Sequence, residues 1–97
     1  MEKMVLVIYN EAIDYEVMQA LKEAGLKNYT KINGILGRGD ASGPHLGDDI
    51  WPGRNNILFV GCNEKKSKEL LIKIRVLRER LAKEGVKAFI LRIEDAT

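Results

Sequence analysis

Twice along this chain a short β-branched apolar run ends at an asparagine, gives way to an amphipathic helical pattern and is closed by a glycine. This duplication constrains the fold more than any other feature, because each half supplies a strand and a helix whose apolar stripe must pack back on a sheet. In the first half, Met4-Val5-Leu6-Val7-Ile8-Tyr9 has the length and composition of a strand. Asn10 can accept a free amide of the following turn as an N-cap. From Glu11 to Ala24, the residues Ile13, Val17, Ala20, Leu21 and Ala24 recur at three- and four-residue steps and make one apolar face. Gly25 suits the left-handed position just past a helix end, with Leu26 as its hydrophobic companion. In the second half, a strand over Arg54–Cys62 leads to Asn63 as the cap of a helix reaching about Glu84. Leu70, Ile74, Leu77 and Leu81 form its buried stripe, Gly85 its C-terminal glycine, and Val86–Ile93 a last strand. Glu64/Lys68, Glu69/Lys73 and Glu79/Lys83 are spaced as i,i+4 ion pairs worth about 0.2–0.5 kcal/mol each.

Between the halves, Tyr29–Leu36 reads as one more strand, with Lys31 and Asn33 on the face opposite Thr30 and Ile32. Such polar alternation suits a sheet edge. The order β-α-β-β-α-β over a single domain, residues 1–97, gives an α+β class and a ferredoxin-like sandwich. Its four-stranded antiparallel sheet carries two helices on one face and a long loop between the second and third strands.

That architecture leaves one sheet face without helices, and a face meeting water should be polar. The first and third strands do not alternate: Val5-Leu6-Val7-Ile8 and Ile57-Leu58-Phe59-Val60 are apolar on both sides, and ferredoxin-like order makes them the central pair. Another copy of the chain is the simplest cover, so the pattern predicts a homo-oligomer. A lid made from the chain's own loop is the alternative. The net charge of +2 gives no argument for nucleic acid, and no apolar run is long enough to span a membrane. The first residues, Met1–Asn10, lack the arrangement of a signal peptide. A lone cysteine, Cys62, excludes a disulfide framework and fits a reducing cytoplasm. At the end of an apolar strand it reads as a small core residue.

The loop 37–53 breaks all periodicity and holds five of the nine glycines, both prolines, the only histidine and the only tryptophan. Long loops in small domains are commonly functional. Gly37-Arg38-Gly39 can offer backbone amides and a guanidinium to phosphate oxygens, although many glycine-rich stretches only turn. Ile50 and Trp51 are costly in water and read as residues that dock on a partner or across a subunit boundary. His45 with Asp40, Asp48 and Asp49 has the donor chemistry of a divalent-metal site, and a solvated turn is the plainer account of the same residues. No activated nucleophile accompanies them, and Ser42 lacks a hydrolase elbow, so no catalytic residues are assigned and the chain reads as a non-enzyme. The second helix carries eight Lys/Arg against four Glu between Glu64 and Glu84, a mixed charge that reads as a solvated face. Tyr9 and Phe59 read as core, which removes the exposed sheet aromatics of an RNA-recognition module.

The stretch Thr30-Lys31-Ile32-Asn33-Gly34-Ile35-Leu36-Gly37-Arg38-Gly39, leading from a strand into a long loop, resembles the base of the T-loop in the PII-like superfamily of trimeric signalling proteins. Ile90-Leu91-Arg92-Ile93-Glu94 is similar to the last strand of those proteins, where an arginine helps hold a nucleotide phosphate. The segment Ala82–Val86 lacks the glycine-rich stretch that the family carries there. The resemblance implies a homotrimer with a cleft between subunits, lined by Gly37, Arg38, Gly39 and Arg92, for a small anionic effector such as an adenine nucleotide. It further implies a loop that is offered to a protein target. The cation-tolerance trimers share the architecture, and they make a metal-binding trimer using His45 and the neighbouring aspartates the alternative.

Overall fold

The computed structural model describes residues 2–37, 54–81 and 84–97. Strand β1 spans Glu2–Asn10, a 3-10 turn covers Glu11–Ile13, and helix α1 runs Asp14–Glu23. Strands β2, Thr30–Leu36, and β3, Arg54–Asn63, precede helix α2, Glu64–Arg80, and strand β4, Val86–Arg92. The sheet order is β2-β3-β1-β4, and each neighbouring pair is antiparallel. The expected ferredoxin-like α+β fold is therefore present, with β1 and β3 at the centre and β2 at an edge.

Both asparagine caps form. Asn10 accepts from the Ala12 amide at 2.8 Å, and Asn63 accepts from the Lys66 amide at the same distance. Each cap stands at the last residue of a central strand, so one residue ends the ladder and starts the next element. Helix α1 closes in a Schellman motif: the Gly25 amide donates to Lys22 and the Leu26 amide to Leu21, both at 3.0 Å. Gly25 sits at φ +74°, and the Lys66 ammonium reaches across to donate to the Ala24 carbonyl at 2.9 Å. A Cβ at Gly25 would lie 2.9 Å from that ammonium. Gly25→Ala should therefore lower stability by about 1–2 kcal/mol, read as a fall in the urea midpoint at constant slope.

Period-two alternation sorts the sheet into two faces. Val5, Val7 and Tyr9 of β1, Leu58, Val60 and Cys62 of β3 and Val86 of β4 are buried toward the helices. They meet Ile13, Val17 and Leu21 from the first helical segment and Leu70, Ile74 and Leu77 from α2. The intervening residues share the other face: Met4, Leu6 and Ile8 of β1, Ile57 and Phe59 of β3, Ile32 of β2, and Phe89 and Leu91 of β4. Leu6 lies at its centre, paired with Phe59 on one side and Phe89 on the other. No described element covers this face, and Ile32, Phe89 and Leu91 remain 44%, 41% and 48% exposed.

Some sequence expectations need correction. Helix α2 ends at Arg80 and not near Glu84, because Leu81 leaves helical geometry at φ −113°, ψ 52° and packs its side chain against the core. Gly85 is not left-handed: the positive-φ glycines among the described residues are Gly25 and Gly34. The Gly85 carbonyl instead accepts from the Asn10 amide at 2.8 Å, tying the start of β4 to the end of β1. In place of the expected Glu64/Lys68 and Glu69/Lys73 pairs, Glu64 pairs with Lys3 at 3.8 Å and Lys73 with Glu23 at 3.5 Å on other elements, while Glu69 pairs with Lys66 at 3.7 Å at i,i+3 spacing. Lys83 of the third expected pair lies outside the described residues. Tyr9 is core as expected, but Phe59 is not. Its odd position in β3 turns it onto the open face beside Leu6, with Phe89 across from it, so this sheet does present aromatics.

Candidate functional site

The base of the loop is built by a bulge in β2. From Ile32 to Ile35, β2 uses one residue more than β3 does from Ile57 to Asn55, and Gly34 absorbs the excess at φ +68°. The strand then resumes against Asn55 and Arg54 and delivers Gly37. A Cβ at Gly37 would come within 2.6 Å of the Asn55 amide nitrogen. That nitrogen is the Nδ2 of the Asn55 side chain, so a larger residue at position 37 would have to push this side chain aside.

Beneath the bulge, β1, β2 and β3 each send a polar side chain to one carboxylate oxygen at the start of α1. Asp14 Oδ1 accepts from the Tyr9 hydroxyl at 2.6 Å, from Lys31 Nζ at 2.9 Å and from Asn56 Nδ2 at 3.3 Å. Asn56 is buried and gives its own oxygen to the Gly34 amide at 3.1 Å. Among the described residues no buried side-chain polar atom lacks a partner, so this network is fully satisfied. Burial, reinforced by the bond to Asp14, pushes the Tyr9 phenol far above its usual range and keeps it a neutral donor. Burial alone would raise the Asp14 carboxyl, but the hydrogen bond from Lys31, followed by that from Tyr9, holds it below its ordinary value.

That sign carries a prediction. A carboxyl whose folded pKa is depressed stabilises the fold above its unfolded value, roughly 3.9, and loses that contribution as pH falls through the folded value. The gain is modest because the Asp14 side chain is 38% exposed. Urea midpoints should fall below about pH 4, and Asp14→Asn should flatten that acid limb while changing the neutral plateau little.

Arg92 ends β4 and is exposed, in register with Lys3 of β1, whereas Gly37 adjoins the Asn55 end of β3. At least eight residues of strand and three strand spacings separate them, so the two lie at opposite corners of one sheet, about 30 Å apart. One chain does not bring them together. Arg38 and Gly39, the docking residues Ile50 and Trp51, and the metal set Asp40, His45, Asp48 and Asp49 lie outside the described residues. Among the described residues no group of three His, Cys, Asp or Glu side chains could hold a metal. The Cys62 thiol is buried, and burial, then the nearby Glu2, push its pKa up, which fits a core residue and not a nucleophile. Of the concave surfaces, a groove between α1 and α2 is lined by Tyr15, Ile72 and Val76, and a smaller one beside β4 by Arg75, Arg78 and Lys87. Neither includes Gly37 or Arg92.

The Asp14 network is the feature that sequence reading missed. Lys31 shows as a polar position in an edge strand and Asp14 as an acid in a first helical turn. Nothing local says that β1, β2 and β3 converge on one oxygen.

Comparison with solved structures finds the same fold. The CPII protein of Thiomonas intermedia, described as a nitrogen regulatory PII-like protein bound to ADP, AMP and bicarbonate, superposes with a TM-score of 0.69 at 19% identity, covering 97% of this chain and 89% of that one. The same protein bound to ADP and bicarbonate gives 0.68 at 20% identity with the same coverage. A PII-like signaling protein of Thermus thermophilus gives 0.64 at 22% identity, covering 92% and 83%. A search of curated protein sequences gives no significant match. The family model for nitrogen regulatory protein P-II matches residues 2–97, and with the β-α-β-β-α-β sheet it establishes that this chain belongs to the P-II family.

Proposed function

We propose that this chain is a PII-type regulator, one domain per subunit, that assembles as a trimer and takes a small anionic effector in clefts between subunits. The effector class is an adenine nucleotide, as in the CPII complexes. Gly37, Arg38 and Gly39 of one subunit and Arg92 of the next would hold its phosphates. The loop 37–53, with Ile50 and Trp51, would be offered to a protein target in the cytoplasm. Effector contacts made in only one loop state supply the differential affinity that a switch needs.

The observation that carries this reading is the separation of Gly37 from Arg92. Residues about 30 Å apart in one chain can share a nucleotide only if a second copy closes the gap. The uncovered apolar sheet face supplies the reason for that copy to be there. A thermal-shift comparison tests it. ADP or AMP, with and without bicarbonate, should raise the melting point, because a ligand of the native state stabilises by mass action. Arg92→Ala should remove most of the shift without changing the unliganded melting point. A full shift in that variant would take Arg92 out of the site, and no shift in the wild type would end the nucleotide reading.

A further inference from the structure

The bulge in β2 is held from below, and the residues that hold it have no part in the site proposed so far. Asn56 stands at the junction. Its oxygen accepts the Gly34 amide at the bulge, and its nitrogen donates to Asp14 at 3.3 Å. An amide side chain can rotate, and here both ends agree: the Gly34 N–H can meet only the oxygen and the Asp14 carboxylate only the nitrogen, so the two bonds together hold Asn56. Tyr9 and Lys31 anchor Asp14 in turn, at 2.6 and 2.9 Å. The bulge is followed within three residues by Gly37, and a bulge re-aims the strand that leaves it.

We propose that Asp14 is a positioning residue for the effector cleft: acting through Asn56, it locks the β2 bulge and fixes the direction in which the strand delivers Gly37. The proposal rests on the functional reading above for its effect on ligand, while the lock itself is a property of the unliganded chain. Asp14 touches no effector. Its removal takes away one of the two bonds that anchor Asn56, so the bond to the Gly34 amide is held less firmly and the last residues of β2 sample other exits.

The experiment uses the full chain and two readouts. Hydrogen exchange at the Gly34 amide, followed by NMR, should speed up roughly tenfold in Asp14→Ala and in Asn56→Ala. ADP affinity should fall by about tenfold in both, with the oligomeric mass unchanged, the size expected for one lost hydrogen bond. Asp14→Asn keeps an acceptor oxygen and should restore both readouts. Ser67→Ala, which removes a buried bond to the Glu64 carbonyl under α2, should destabilise the fold yet leave ADP affinity and Gly34 exchange as they are. Unchanged Gly34 exchange in Asp14→Ala overturns the lock. Wild-type ADP affinity in Asp14→Ala overturns the positioning role even if exchange accelerates. If the wild type binds neither ADP nor AMP, the effector reading fails, and Gly34 exchange alone still decides whether Asp14 holds the bulge.

Discussion

Leu6→Asp is expected to leave the protein as a folded single chain, with a light-scattering mass near 10.9 kDa where the wild type gives a multiple of it. Leu6 occupies the middle of the face that α1 and α2 do not reach, between Phe59 and Phe89. Around it lie Met4, Ile8, Ile57, Ile32 and Leu91, so any copy seated on this face buries the Leu6 side chain deeply. A leucine so buried contributes about 1.5–3 kcal/mol, and an unpaired carboxylate in its place costs several kcal/mol more. Summed over every protomer of a symmetric assembly, that exceeds what a standard interface can absorb. The fold itself should survive, because the residues packed under the helices, Val5, Val7, Leu58 and Leu70 among them, lie on the opposite side of the sheet. Far-UV circular dichroism should therefore stay close to wild type while the mass drops. A wild-type mass of one chain would remove the assembly from the account. A variant that keeps the wild-type mass would move the interface off this face.

The same open face shows what a sequence can and cannot reveal here. The apolar character of Val5–Ile8 and Ile57–Val60 on both sides is visible as lost alternation, and the structure places apolar side chains from both strands on the open face. The asparagine caps and Gly25 are equally legible, since each depends on backbone chemistry within a few residues. The end of α2 is not. Helix propensity and the apolar stripe both continue past Arg80, so nothing local marks the point where Leu81 turns out of helical geometry. The side of the sheet that Phe59 takes is equally hidden: strand composition does not reveal parity, and one step along β3 exchanges core for open face. The site divides in the same way. Gly37 and Arg92 of the proposed site stand out as residue types, whereas the link between Asp14 and Asn56 exists only because β1, β2, β3 and the start of α1 come together.

Mixing two defective chains should restore binding that neither has alone. Arg38→Ala removes the loop-side contact and Arg92→Ala the strand-side contact, and each homo-oligomer is expected to lose most of its ADP affinity. A cleft made from the loop base of one subunit and the last strand of the next is whole when an Arg92→Ala chain supplies the loop and an Arg38→Ala chain supplies the strand. Random co-assembly of equal amounts places that arrangement in roughly one quarter of the clefts of a closed ring. Purifying co-expressed chains through two different tags leaves only mixed trimers, each with one such cleft in three, so calorimetric titration with ADP should show about one third of sites at wild-type affinity. The geometry makes the result hard to obtain in any other way, because Gly37 and Arg92 of one chain are held at opposite corners of a hydrogen-bonded sheet. If the nucleotide were bound within one chain, every chain in the mixture would still carry one defect, and no high-affinity site would return. Complementation would thus count the subunits that build each cleft, and its absence would place the phosphate contacts on residues other than this pair.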